Sequence, residues 1–294
     1  MKFLSNYQTG ALYAITSGLC YSLLGYFGIT IMQAGSSVFN MLFWRFLISA
    51  LFVLILLIPK YKTILQSPKA ILKVLISGMA FYGASSIAFF MSSCYIGTGL
   101  AMVIFFIYPA IVMVVNIAFY KAPFSKVYCL AFLIIIIGLI FLVDLQDFAL
   151  DVIGVGLGIV TAIFYAMYII ASEKIDIDPI LSTLMVSIGC MITCFISSLV
   201  DSSLNIPSGL NNWLNIIGIG LICTAIPILL LLQALKYIDA EKASTLSVLE
   251  PVFVLVFGVI LLDEKVTSMQ ILGTIIVLSG ALMVLFHNIP KTKY

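Results

Sequence analysis

The sequence predicts an all-α integral membrane protein, with ten transmembrane helices arranged as two inverted five-helix repeats over 1–147 and 148–294. Three observations predict it. Of the 294 residues, 63% are apolar and 9% charged, and the mean hydropathy is +1.26. A soluble domain carries roughly 25% charged residues, so disordered, fibrous, nucleic-acid-binding and ordinary globular proteins are excluded. Apolar runs of about 20 residues, enough to cross a hydrocarbon core of about 30 Å, recur along the whole chain. Finally, the chain resembles itself at an offset of 142 residues.

The runs lie at 10–31, 39–58, 71–94, 98–119, 127–143, 152–172, 180–200, 213–235, 243–262 and 269–286. None alternates apolar and polar residues as a membrane β-strand does, so helices must satisfy the backbone in lipid. The first carries the small residues Gly10, Ala14 and Gly18, holds Tyr21 near its middle, and is too plainly one of a series to be a cleaved leader. The second carries the single arginine of the chain, Arg45, beside Trp44. The third holds Tyr82, Ser85 and Ser86, and the fourth Tyr108, Pro109 and Asn116. The fifth is uniformly apolar. The sixth opens on Gly154 and Gly158, a small-xxx-small pattern for close helix approach, and holds Tyr165. The seventh has Cys190 and Cys194 on one face. Without His or carboxylate nearby they make no metal site, and with Cys20, Cys94, Cys129 and Cys223 they read as small apolar packing residues. The eighth contains Thr224, Pro227 and Gln233, the ninth Glu250 and Pro251, and the tenth ends at the single histidine, His287.

The connections set an orientation, because cytoplasmic loops accumulate basic residues. With the N-terminus inside, Lys2, Lys60, Lys62, Lys69, Lys73, Lys121, Lys126, Lys174, Lys236, Lys242, Lys291 and Lys293 lie inside and Lys265 alone outside. Asp144, Asp147, Asp151 and Asp201 fall in outward loops, so the net charge of +2 averages two different faces.

The offset of 142 lays Tyr95–Val112 on Tyr237–Val254, bringing Tyr95, Ile96, Ala101, Pro109 and Val112 onto Tyr237, Ile238, Ala243, Pro251 and Val254. Tyr108 then stands where Glu250 stands in the other copy. An offset of 144 lays Gly10–Tyr21 on Gly154–Tyr165. Five helices per copy is an odd number, so the second copy enters the membrane from the opposite side. Loop charges agree: Lys121 and Lys126 follow the fourth span, whereas Asp263 and Glu264 accompany Lys265 after the ninth. Inverted repeats recur among secondary transporters, with the substrate near the midplane where the halves meet.

The residues that follow these positions resemble the EamA domain family of the drug/metabolite transporter superfamily: FWRFL from Phe43, IYPA from Ile107, LEPVF from Leu249, LDEKVT from Leu262 and QILGTIIVLSG from Gln270. The resemblance implies ten helices in two EamA repeats, both termini cytoplasmic, and alternating access to a central cavity. It further implies a bacterial inner-membrane carrier of amino acids, S-adenosylmethionine or other small metabolites or drugs, coupled to protons or working by exchange. One departure is that Glu264 of the second repeat is matched by Ala122 in the first.

Within the spans, Arg45 and Glu250 are the deep ionisable acid and base groups, Lys73 lying near a membrane edge. A charge at the bilayer centre costs about 2.5–3.5 kcal/mol on insertion scales, so such residues usually face a polar interior and mark a pathway. At about 1.5 Å of rise per residue, Arg45 is about 9 Å in from the outer edge and Glu250 near the middle. Arg45 suits a substrate carboxylate or phosphate, and Glu250 an amine or a coupling proton. The alternatives are that Arg45 snorkels to headgroups and that Glu250 bonds across a helix interface. Pro109, Pro251 and Pro227 each remove a helix hydrogen bond and free a carbonyl, which either lines a cavity or merely kinks a helix. Tyr108, Tyr82, Ser85, Ser86, Asn116 and Gln233 offer uncharged hydrogen bonds, and Trp44, Tyr21 and Tyr165 offer rings for stacking.

No phosphate loop of the form GxGxxG or GxxxxGK[ST] occurs, so no ATP site or other cofactor is expected. An intramembrane enzyme is disfavoured, since HExxH, GxSxG and paired intramembrane aspartates are absent. An uncoupled facilitator or channel for small metabolites shares every feature above except coupling. Partners expected are a small-molecule substrate, the lipid bilayer and protons, and no nucleic acid.

Overall fold

The computed structural model describes residues 5–59, 66–121, 125–142, 151–262 and 266–287. Lys2, Lys60, Lys62, Ala122, Asp144, Asp147, Asp263, Glu264, Lys265, Lys291 and Lys293, on which part of the charge and repeat argument rests, lie outside them. The described chain is helical throughout. Its first half forms α1 (Asn6–Tyr21), α2 (Leu24–Gln33), α3 (Val38–Leu57), α4 (Pro68–Ser77), α5 (Ala84–Phe105), α6 (Tyr108–Tyr120) and α7 (Lys126–Leu142). Its second half forms α8 (Val152–Lys174), α9 (Pro179–Val200), α10 (Leu210–Gly220), α11 (Ile226–Tyr237), α12 (Ala240–Ser247), α13 (Glu250–Leu262) and α14 (Ser268–Phe286). Short π-helical turns, Gly78–Gly83 and Leu221–Ala225, join α4 to α5 and α10 to α11.

Helix starts are made by polar caps, which satisfy orphan N–H groups at the ends of the spans. Ser5 with Gln8 and Thr267 with Gln270 form capping boxes on α1 and α14. Ser37 accepts from the Asn40 amide, Asp151 from Gly154, and Asp178 from Ile180 and Leu181.

Among the described residues, eight stretches are long and apolar enough to cross a membrane, and α6 and α7 are two shorter apolar helices. The boundary predicted between the spans 71–94 and 98–119 falls at a corner in the chain, and the second of these spans is broken once more. Pro68–Phe105 is one helical stretch with a corner at Gly97, whose φ of 75° and ψ of 155° only glycine adopts readily, so 98–105 is a separate leg. The chain then breaks at Phe106 and Ile107 before α6. A second break, at Val248 and Leu249, separates α12 from α13. Proline explains both. Pro109 and Pro251 cannot donate to the carbonyls four residues back and their rings clash there, so α5 ends at Phe105 and α12 at Ser247. The remaining break, at Ser22 and Leu23 between α1 and α2, has no proline, and the Ser22 hydroxyl bonds back to the Leu19 carbonyl at 2.6 Å.

The principal helix pairings all join the first half to the second: α7 with α14, α5 with α8, α3 with α9, and α1 with α11. Neither half therefore has a core of its own. Close approach rests on small residues. A Cβ on Gly273 would stand 2.7 Å from the Gly138 carbonyl oxygen, and one on Gly138 would stand 2.9 Å from that of Gly273.

The described lysines gather at one end of the bundle. There Lys174 lies over the Tyr120 ring, Lys236 pairs with Asp176 at 2.7 Å, and Lys242 lies over Tyr7. The Tyr7 hydroxyl donates to the Val284 carbonyl and the Tyr128 ring meets His287, which closes this end. The opposite end is closed by amides. Asn40 Nδ2 donates to Asn205 Oδ1 at 2.6 Å, the Asn205 amide returns a bond to Asn40 Oδ1, and Trp44 Nε1 donates to the Asn205 carbonyl.

Candidate functional site

Midway between the two ends, the breaks and π turns of both halves converge on one cavity. Tyr82, in the first π turn, and Thr224, in the second, are 142 residues apart in sequence, and both contact Arg45. Arg45 is 1% exposed. Its Nε donates to Thr224 Oγ1 at 2.7 Å, and its Nη2 reaches the Tyr82 hydroxyl at 3.5 Å and the Cys223 carbonyl at 3.4 Å. The Cys223 carbonyl is available because Pro227, four residues on, has no N–H to offer it. Thr224 in turn donates to the Ile219 carbonyl at 2.7 Å. A helix defect in one half thus anchors the arginine of the other. Nη1 makes no hydrogen bond to any described residue.

Glu250 is the first residue of α13, where the free amides of a helix N-terminus favour a negative charge. It is 7% exposed, and no described residue hydrogen-bonds its carboxyl. Arg45 and Glu250 line the same cavity but make no ion pair with each other within 4.0 Å, unlike Lys174 with Glu173, Lys236 with Asp176 and Lys242 with Asp239.

The rest of the lining is aromatic and hydroxylic: Tyr21, Tyr82, Tyr165, Ser85, Ser86 and Thr161, with Leu24, Phe89, Phe90 and Phe105. The Tyr21 and Tyr82 hydroxyls are 3.0 Å apart, and the Tyr82 ring sits 5.7 Å from Tyr165 and 4.8 Å from Tyr168. Ser85 is engaged with the Thr161 carbonyl at 3.0 Å. The space open to water is about 50 Å³, room for a few waters at the 10–15 Å³ each needs and well short of the 300 Å³ or more typical of ligand pockets. The centre as it stands has room for a few waters and not for a metabolite, while hydrogen-bonded and stacked contacts hold the halves together at both ends.

Of the residues singled out from the sequence, Arg45, Glu250, Tyr82, Ser85, Ser86, Tyr21 and Tyr165 line this cavity. The others do not. Trp44 is at the amide-closed end, stacked edge-on against Trp213 with centroids 5.2 Å apart. Asn116 lies beside Glu241 in the lysine-rich half, and Gln233 is half-buried on α11. Tyr108 is one layer behind the lining: its ring packs 4.8 Å from Tyr165 and its hydroxyl donates to the Ser244 carbonyl at 3.1 Å, tying the start of α6 to the end of α12. Pro109 and Pro251 set the two breaks, and the Pro227 carbonyl accepts from Ser17 at 2.8 Å. Two further polar contributors are Thr224, noted in the eighth span without a role in the site, and Thr161. Thr224 had a signal, since it is the repeat partner of Tyr82, whereas nothing in the sequence marks Thr161. Lys242, read as a loop residue, has a side chain 2% exposed and a carboxylate partner in Asp239 at 3.5 Å.

A second cleft, of about 260 Å³, adjoins the cavity toward the amide-closed end, between α2, the leg 98–105 and α13. Leu23 and Gly25 line it while Leu24 lines the cavity, so the α1–α2 break forms the wall between them.

Comparison with known proteins returns a family model described as "EamA-like transporter family", matching residues 8–144 and again 152–286. A protein of Archaeoglobus fulgidus, described as an uncharacterized transporter, is 32% identical over 72 residues, which is 24% of this chain and 27% of that protein's own length. A solved crystal structure is similar with a TM-score of 0.79 over 93% of this chain and 95% of the other, at 16% identity, a likeness of fold.

Proposed function

The chain belongs to the EamA-like transporter family, and from that premise we propose that it is a secondary active transporter for a small polar metabolite, bound between Arg45 and Glu250. The substrate class is an amino-acid-like zwitterion or cation with an apolar or aromatic part. Arg45 takes the carboxylate or phosphate through Nη1, Glu250 takes the amine or a coupling proton, and the tyrosine and phenylalanine rings take the remainder.

One observation carries this reading: the single arginine and the deep carboxylate line one small central cavity without pairing with each other. Each retains hydrogen-bonding capacity for a ligand, and a buried charge without a full set of partners is costly to keep unless it has a use. Closure at both ends favours a carrier that alternates over an open pore. The two halves read as inverted repeats, supported by the matched breaks before Pro109 and Pro251 and by the two π turns. Alternating access then follows from rocking one half against the other. The positive-inside rule supports a cytoplasmic lysine-rich end with both termini on that side, and the family resemblance supports a bacterial inner-membrane location.

The test is counterflow in proteoliposomes with labelled amino acids and cationic metabolites. Arg45→Gln and Glu250→Gln are expected to lower uptake by about 10-fold or more, the worth of a hydrogen bond to a charged group. Wild-type rates in both variants would sink the proposal. Acceleration by substrate on the far side separates a carrier from an uncoupled facilitator, and accumulation driven by a pH gradient separates proton coupling from exchange.

A further inference from the structure

At the lysine-rich end a cleft of about 270 Å³ opens between the two halves, walled by α4, the end of α6 and the end of α8. Lys73 and Ser77 lie four residues apart on one face of α4, and Lys174 and Tyr120 approach from the other two helices. The remaining lining is apolar, Ile76, Phe81, Ala171 and Ile175. Ser77 is 5% exposed, and its hydroxyl is buried with no hydrogen-bond partner. Such orphaned groups are few in folded proteins and call for an explanation. On the same helix, Leu72 and Ile76 are more than half exposed, as lipid-facing residues are.

We infer that this cleft holds the phosphate of an anionic glycerophospholipid from the adjacent leaflet. Two ammonium groups flank the phosphodiester, the Ser77 hydroxyl donates to one of its oxygens, and the acyl chains run down the apolar wall past Ile76. Basic pockets between transmembrane helices on the cytoplasmic side take anionic headgroups for this reason. The Tyr120 ring sits beneath the Lys174 ammonium, with the nitrogen 4.4 Å from the ring centroid, which holds that charge at the rim. A lipid is favoured over a free phosphate because the cleft has an apolar wall continuous with the bilayer-facing side of α4. The site is distinct from the central cavity, although the π turn that carries Tyr82 to Arg45 starts at the residue after Ser77. An occupant there bears on the helix that positions the arginine.

The experiment is native mass spectrometry of the purified full chain with phosphatidylglycerol and phosphatidylcholine of identical acyl chains. The wild type is expected to retain phosphatidylglycerol in preference. Lys73→Gln and Lys174→Gln are each expected to lower that preference by about five-fold, as for a lysine near an anionic surface. Ser77→Ala, which leaves the charge untouched, is expected to lower it by about two-fold or more. Lys69→Gln, on the same helix but outside the cleft, should keep it. Equal retention of the two lipids, unchanged retention in the Lys73→Gln/Lys174→Gln variant, or an equal loss in Lys69→Gln would overturn the inference. So would displacement of the lipid by millimolar inorganic phosphate, which would assign the site to the free anion.

Discussion

Arg45 shows how one residue is held by several unrelated features of the sequence. Its Nε bond to Thr224 at 2.7 Å and its Nη2 contacts to Cys223 and Tyr82 depend on a proline, a π turn and a tyrosine spread over both halves. Removing the acceptor while leaving the volume leaves a buried guanidinium short of a partner. Thr224→Val is therefore expected to destabilise the protein by about 1–2 kcal/mol, whereas Thr224→Ser changes stability little; unfolding titrations in mixed micelles would measure both. Equal stability of the two variants would show that Thr224 does not anchor the arginine. The single arginine and deep glutamate were legible in the sequence because charge is rare in apolar spans. The role of Thr224 was hidden, since a threonine among apolar residues usually bonds its own helix.

The helices themselves are defined by what interrupts them. Prolines at 109 and 251 end α5 and α12 four residues upstream, and glycine at 97 turns the chain. The two prolines mark their breaks in the sequence as lost hydrogen bonds, but 98–119 and 243–262 remain continuous apolar runs, because hydropathy is blind to a missing hydrogen bond. Packing between helices depends on absent side chains. Gly273→Ala places a methyl group 2.7 Å from the Gly138 carbonyl oxygen and forces α7 and α14 apart. Overpacking of this kind costs about 1–3 kcal/mol. Gly156, with nothing within 4 Å of an added Cβ, is the matched control: Gly156→Ala should lose no stability. Thermal unfolding of the two variants in detergent checks the pair, and equal melting would remove the close contact from the argument.

Over the whole molecule, two closures flank one cavity, and the proposed transport requires that they open in turn. The amide-closed end is held by Asn40, Asn205 and Trp44, all joining the first half to the connection after α9. An Asn40→Cys/Asn205→Cys variant on a Cys94→Ser background, joined by a disulfide or short thiol cross-linker, is expected to lose transport and to regain it on reduction of the disulfide. Unchanged transport in the cross-linked protein would mean that this end does not open in the cycle. The lysine-rich end, with Tyr7 on Val284 and Lys236 on Asp176, is the counterpart closure.

The sequence by itself determined the membrane class, the doubling of the chain, the single basic and single deep acidic candidates and the asymmetric distribution of lysines. Those follow from composition and from self-similarity, which need no knowledge of which helix touches which. Tertiary structure decided which polar residues share a cavity. Tyr21, Tyr82, Ser85, Ser86 and Tyr165 converge with Arg45 and Glu250, while Trp44, Asn116 and Gln233 go elsewhere. The physical reason lies in the pairing of the halves: every major contact joins residues far apart in sequence, so the direction a side chain faces is set by a partner helix that no local pattern identifies.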